Sequence, residues 1–162
     1  MPDVTFIYPC LGRFPDTKYV RSWQMQPLAI AVLSGLTPPN WTRHLFDDRL
    51  EDIDYDRPTD LVAISVETYN AMRAYQIAAE YRKRNVPVIM GGFHPTFMPE
   101  EALQHADAVW TGCGNYISTG VHRLTDAQHT EALVPGGITP GTTAATAAAE
   151  TSFFITEHLD QR

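Results

Sequence analysis

The residues best suited to chemistry fall in short stretches that directly follow apolar runs. Gly91-Gly92-Phe93-His94-Pro95-Thr96 comes straight after Val86-Pro87-Val88-Ile89-Met90. Two adjacent residues without Cβ let a backbone approach a large flat ligand closely, or they supply a tight turn with φ > 0. The pair alone does not choose between these readings. His94 could serve as an acid–base group or a metal ligand, or simply as a hydrogen-bonded loop residue. Ser65-Val66-Glu67-Thr68-Tyr69-Asn70 follows a second apolar run and precedes a helix. Ser65, Thr68 and Asn70 offer oxygens to a bound molecule. Thr68 or Asn70 could equally cap the helix, which leaves Ser65 and Glu67 for other work. Asp47-Asp48, after a third run, stands where an acid could bind a ribose hydroxyl.

These stretches need elements to hold them, and the chain alternates strand and helix patterns. Val4 to Tyr8 reads as a buried first strand closed by Pro9 and Gly12. Pro27 opens a helix that is apolar almost all round and stops at Thr37-Pro38-Pro39-Asn40. Trp41 to Phe46 is a second strand, and Leu61 to Val66 a third whose continuous apolar run suits burial on both faces. From Tyr69 to Arg84 a helix is expected. Ala71, Ala74, Tyr75, Ala78 and Tyr81 form its apolar stripe, and Arg73, Gln76, Glu80, Lys83 and Arg84 its wet face. The trio Arg82-Lys83-Arg84 lies in the last turn, where cations favour the negative helix end. Val86 to Met90 is a fourth strand, Pro99-Glu100-Glu101 starts a short helix, and Ala106 to Trp110 is a fifth strand.

This order implies βαβ units in an α/β fold. The expected architecture is a Rossmann-like, flavodoxin-like doubly wound parallel sheet of about five strands in the order 2-1-3-4-5, and ligands then sit outside the carboxyl ends of the strands. Beyond Gly112 the pattern fails. Two regions are therefore expected: residues 1–112 as the α/β domain, and 113–162 as a turn-rich tail, disordered or loosely attached, with one uncertain helix over Ala144 to Leu159.

Composition narrows the partners. The chain has 162 residues, 44% hydrophobic and 19% charged, which suits one globular domain. Its net charge of −7 and its lack of long Lys/Arg runs argue against a nucleic-acid backbone or an anionic membrane as partner. No stretch approaches the ~18 apolar residues of a membrane span. The start, Met1-Pro2-Asp3, lacks the order of a secretory signal, so a cytoplasmic location is expected. Two cysteines, Cys10 and Cys113, are too few for a disulfide framework or a four-thiolate metal site.

Several motifs are absent. The loop after the first strand reads Pro9-Cys10-Leu11-Gly12-Arg13-Phe14, so the Gly-x-Gly-x-x-Gly dinucleotide fingerprint is missing there. No phosphate loop, nucleophile elbow or His-Glu-x-x-His is present.

Three segments together resemble one family. They are Trp23-Gln24-Met25-Gln26-Pro27-Leu28-Ala29, then Ser65-Val66-Glu67-Thr68. The third is Gly91-Gly92-Phe93-His94-Pro95-Thr96 continued by Phe97-Met98-Pro99-Glu100-Glu101-Ala102-Leu103 and Ala106-Asp107-Ala108-Val109. They are similar to the N-terminal cobalamin-binding domain of cobalamin-dependent radical SAM enzymes, and the similarity runs over residues 3–111. It implies a corrinoid held against the carboxyl ends of the strands, with its nucleotide tail in the groove beside Ser65 to Thr68 and Gly91-Gly92. The implied contact residues are Cys10, Leu11, Gly12, Ser65, Val66, Glu67, Thr68, Gly91, Gly92, Phe93, His94, Pro95 and Thr96.

The chain departs from that family in two places. Many cobalamin proteins carry Asp-x-His-x-x-Gly after the first strand, with the histidine on cobalt. This loop has no histidine, so the expectation is cobalt without a protein histidine ligand. The radical SAM barrel carries Cys-x-x-x-Cys-x-x-Cys for an iron–sulfur cluster, whereas this chain has Thr111-Gly112-Cys113-Gly114-Asn115 and only two cysteines. No such cluster is expected on this chain, and a separate radical SAM barrel becomes a candidate partner. The reading is a corrinoid-binding module that is not catalytic by itself. The alternatives are a flavodoxin-like interaction or sensor domain without corrinoid, and an inactive product of truncation or frame shift.

Overall fold

The computed structural model describes residues 2–12, 26–37, 39–111, 131–134 and 137–138. Five strands, β1 (Asp3–Tyr8), β2 (Thr42–Asp47), β3 (Leu61–Ser65), β4 (Val88–Gly91) and β5 (Ala108–Thr111), pair in parallel in the order 2-1-3-4-5. The expected α/β fold is the observed one. β1 and β3 lie side by side, with Val4 opposite Leu61 and Ile7 opposite Ile64. Both are buried almost throughout, which is why both read as continuous apolar runs. β2 exposes Thr42, Arg43 and Leu45 because it lies at the sheet edge.

Helices cover both faces. α1 (Leu28–Leu36) lies over the face of Val4, Phe6, Tyr8 and Leu61, into which it inserts Ile30. α2 (Ala71–Lys83) and α4 (Pro99–Leu103) cover the other face, where Ile7, Val62, Ile64, Val88, Met90 and Val109 form the larger core. The apolar stripe of α2 is buried as its spacing requires, with Ile77 added to it. The last turn of α2 ends in a Schellman motif. Asn85 takes φ 58°, its N–H donates to the Arg82 carbonyl at 2.9 Å, and the Val86 N–H donates to the Tyr81 carbonyl at 3.1 Å. The basic trio closing this helix pairs with nearby acids: Arg82 with Asp107, and Lys83 and Arg84 with Glu80.

Four local expectations change. The helix after β3 begins with a 3-10 turn (Thr68–Asn70) before α2 proper. A short helix, α3 (Phe93–Phe97), stands where a loop is expected. Its proline at the third position leaves no hydrogen bond unmade, because the first turn of a helix has free N–H groups anyway. Arg73 leaves the wet face of α2 to pair with a buried aspartate described below. Within the turn-rich tail, β6 (Glu131–Val134) and β7 (Gly137–Ile138) extend the sheet antiparallel beyond β5 and give it seven strands. They supply partners for the backbone groups that β5 would otherwise leave open as an edge. The helix expected over Ala144 to Leu159, and Cys113, lie outside the described residues.

The link from β2 to β3 has no helix. Its acidic residues Glu51, Asp52, Asp54 and Asp56 are exposed, while Ile53 is buried and Tyr55 packs on Tyr81 with ring centroids 5.1 Å apart. Among the described residues no helix is long and apolar enough to cross a membrane.

Candidate functional site

The connections of β1 and β3 leave the sheet toward opposite faces, which opens a crevice between their carboxyl ends. The loop beginning at Pro9 forms one wall, and residues 66–70 form the other. Asn70 joins the two walls from below. Its side-chain amide donates to the Pro9 carbonyl at 3.2 Å, and its side-chain oxygen accepts the Glu67 N–H at 2.8 Å. It is fully buried. The expected capping role of Asn70 is thus served toward the 3-10 turn and not toward α2, where its side chain makes no cap bond.

A second support comes from Asp48. It is fully buried, and Arg73 grips it with two bonds, Nε to Oδ2 at 2.9 Å and Nη2 to Oδ1 at 2.8 Å. The Cys10 N–H donates to the same carboxylate at 3.1 Å. Burial pushes the Asp48 carboxyl up, but the Arg73 bonds and those from Cys10 outweigh it and hold the group below its usual range. Burial pushes the Cys10 thiol up, and the neighbouring Asp48 adds to that. Asp47 is likewise taken: Arg49 binds it through Nε at 2.8 Å and Nη2 at 2.7 Å, and the same guanidinium lies 4.4 Å from the Tyr8 ring centroid. Neither aspartate is left for a ribose hydroxyl, and both fix the loop after β2 to its neighbours.

The glycine pair divides into two roles. Gly92 has φ 117°, and a Cβ built on it would stand 2.5 Å from the Val66 carbonyl oxygen. Glycine is required there so that two backbones can pass each other. At Gly91 a Cβ would meet Trp110 at an ordinary 3.6 Å. The β3 and β4 extensions stay bonded past the strand ends, Val66 N–H to the Gly91 carbonyl at 2.7 Å and His94 N–H to the Val66 carbonyl at 3.2 Å. His94 is buried, with Nε2 2.8 Å from the Tyr75 hydroxyl and 3.5 Å from Glu101. Burial and the Glu101 bond push the Tyr75 hydroxyl well up. The His94 ring is hydrogen-bonded, as one of the readings from sequence has it, but α3 places it in a short helix and not in a loop.

The residues singled out in the sequence therefore sort by depth. Cys10, Ser65, Val66, His94 and Pro95 are buried supports of the edge. Leu11, Thr68 and Phe93 are exposed along it, with Gly12, Glu67, Gly91, Gly92 and Thr96 half-buried between them. Thr96 turns its hydroxyl back onto the Gly92 carbonyl at 2.7 Å. Sequence reading passed over Tyr8 and Tyr69, whose hydroxyls lie 3.1 Å apart at the mouth of the crevice. Burial, then the Tyr69 bond, pushes the Tyr8 hydroxyl well up, while Tyr69 is 51% exposed. The only signal for Tyr8 was a polar tip at the end of an apolar strand. Burial also pushes the Glu67 carboxyl up. Among the described residues no cluster of three or more His, Cys, Asp or Glu is placed to hold a metal ion.

Exposed apolar surface at Leu11, Tyr69 and Phe93, interrupted by the polar groups of Glu67 and Thr68, suits a broad ligand with an apolar ring and polar substituents. A family model described as a B12 binding domain matches residues 30–122. The match begins inside α1, so it covers the β3 and β4 loops and not the Cys10 to Gly12 loop.

Two curated relatives come from Chlorobaculum tepidum. The chain is 46% identical over 86 residues to a bacteriochlorophyllide d C-8(2)-methyltransferase, covering 52% of this chain and 19% of the relative. It is 33% identical over 88 residues to a bacteriochlorophyllide d C-12(1)-methyltransferase, covering 53% of this chain and 19% of the relative. The chain thus spans about a fifth of the length of the curated relatives it matches. With the family model matching more than half of its residues, the loops after β3 and β4 included, this chain belongs to the B12-binding domain family.

Proposed function

We propose that the crevice and the carboxyl edges of β3 and β4 hold a corrinoid, with Leu11, Gly12, Glu67, Thr68, Gly91, Gly92, Phe93 and Thr96 in contact with it. Cys10, Ser65, Val66, His94 and Pro95 act from beneath by fixing the loops. The corrinoid-binding unit is built on residues 1–112, with β6 and β7 added at the edge of its sheet, and works in the cytoplasm. The observation that carries this reading is the family match over the loops after β3 and β4, the first of which forms one wall of the β1/β3 crevice. Cobalamin, when bound, supplies a cobalt that accepts and donates a methyl group.

The chain's own residues do the rest. Asn70 sets the separation of the two walls, Gly92 lets the β4 loop lie against Val66, and the Tyr8–Tyr69 pair presents hydroxyls at the mouth. Cobalt is held without a protein histidine ligand. Supporting this, the described part of the first loop carries none, and the His94 ring is engaged by Tyr75.

Radical chemistry belongs to a radical SAM domain, either elsewhere in a longer protein or on a separate chain. The two relatives are named for methylation at different carbons, yet each matches a stretch of similar length in this chain, 86 and 88 residues. The module therefore supplies the methyl carrier, and the choice of carbon lies outside it.

The test is direct. Purified protein is incubated with hydroxocobalamin and desalted, and its visible spectrum is recorded. Near one equivalent of retained corrinoid is the expected result. No retention by a protein that still melts cooperatively would overturn the reading and favour an interaction domain. After reduction to the cobalt(II) form, nitrogen splitting that changes on 15N-histidine labelling would overturn the unligated assignment.

A further inference from the structure

The ionisable groups beside the crevice are almost all spoken for. Asp47 is bound by Arg49, and Asp48 by Arg73. Each arginine donates two bonds to its partner, so neither guanidinium is left with its fork open toward the mouth. His94 is turned to Tyr75. Glu67 is different. It is half-buried at the first position after Val66, and among the described residues no cation pairs with it. Its position is fixed: its N–H is held by the Asn70 side chain at 2.8 Å, and its carboxyl faces the 3-10 turn in a capping-box arrangement with Asn70. That arrangement uses one of a carboxylate's roughly four acceptor sites, so the group retains acceptor capacity. Nearby lie the two tyrosine hydroxyls.

An ionised carboxylate accepts hydrogen bonds and donates none. A ligand group that meets Glu67 with an N–H is satisfied by it. A ligand carboxylate at the same place meets a second anion in a half-buried setting where, among the described residues, no cation pairs with Glu67, and such a like-charge juxtaposition rejects a wrong partner.

Resting on the corrinoid reading above, we propose that Glu67 makes this site selective for corrinoids whose ring substituents are primary amides over those that carry free carboxylates. Glu67 is then a specificity-determining residue. It turns away incompletely amidated or hydrolysed corrinoids that have the same ring and the same metal.

Binding of hydroxocobalamin and of its separated monocarboxylates, made by mild acid hydrolysis of the ring amides, tests this by titration of the visible spectrum at neutral pH. For wild-type protein, at least one monocarboxylate is expected to bind about tenfold or more weaker than hydroxocobalamin, the effect of one misplaced charge. Glu67→Gln, which keeps the shape and gains an N–H donor, should restore that same monocarboxylate to within about threefold. Glu67→Ala removes the charge by another route and must move the ratio in the same direction. Equal binding of every monocarboxylate by wild type would overturn the proposal, as would a discrimination unchanged in both variants. Failure of wild type to bind hydroxocobalamin at all would instead overturn the corrinoid reading on which this rests.

Discussion

Gly92 and Val66 approach so closely that residue 92 has no room for a side chain: a Cβ there would stand 2.5 Å from the Val66 carbonyl oxygen and 3.0 Å from its nitrogen. Both atoms are backbone and cannot swing aside. Gly92→Ala should therefore destabilise the fold by about 1–3 kcal/mol from backbone strain alone, with the contact adding to it. Gly91→Ala, 3.6 Å from Trp110, should stay near wild type. Urea denaturation of both variants without corrinoid checks this. Equal stability of the two would show that the pair is interchangeable and that the close approach carries no weight.

Asn70 ties the walls of the crevice, so its loss should be felt in stability before any ligand is added. Asn70→Leu leaves the Pro9 carbonyl and the Glu67 N–H without their partner, at about 1–3 kcal/mol each. Asn70→Asp keeps an acceptor for the Glu67 N–H, but it turns the donor to Pro9 into a second acceptor and buries an added charge, so at neutral pH it should cost at least as much as Asn70→Leu. A melting series at neutral pH in which Asp stays close to wild type would contradict this role of the Asn70 amide.

The Asp48–Arg73 pair sets a pH dependence with a definite sign. The Asp48 carboxyl is held below its ordinary 3.8 in the folded chain, so its contribution is fully present above 3.8 and is lost as the pH falls below it. Arg73→Met should cost about 3–5 kcal/mol at neutral pH, because it strands a buried carboxylate. Burial is then opposed only by the Cys10 bonds and the same carboxyl rises from its wild-type position, so the variant gains relative to wild type as the pH falls. Denaturation at neutral pH and at acid pH should show the gap between the two proteins narrowing. A constant gap would mean that Asp48 is not the group responsible.

The sheet order and most strands were legible because burial on both faces writes itself as unbroken apolar runs, as in Leu61 to Ser65. The α2 stripe was legible for the same reason, since Ala74, Ala78 and Tyr81 repeat at helical spacing. The resemblance of the Ser65 to Thr68 and Gly91 to Thr96 segments also carried the family. The pairing of Arg73 with Asp48 was not legible. It joins positions 25 apart through a fold that must already exist, and a cation on a helix reads as solvated until its partner is known. Asn70 misled for a related reason, since an asparagine before a helix reads as a local cap while its bond to Pro9 spans 61 positions. The glycine pair left a close ligand approach and a tight turn both open, because sequence shows that a Cβ is missing but not what fills its place.

The buried thiol of Cys10 has a use that its chemistry alone would not suggest. It is wholly shielded, raised by burial, and carried on a backbone N–H fastened to Asp48. A shielded thiol of this kind is inert until the chain around it opens. In a Cys113→Ser background, its rate of alkylation therefore becomes a clock for how often the first loop lifts from the sheet. Whatever molecule lies across that loop will slow the clock in proportion to how tightly it is held. The protein thus carries a built-in occupancy gauge that needs neither colour nor turnover to be read.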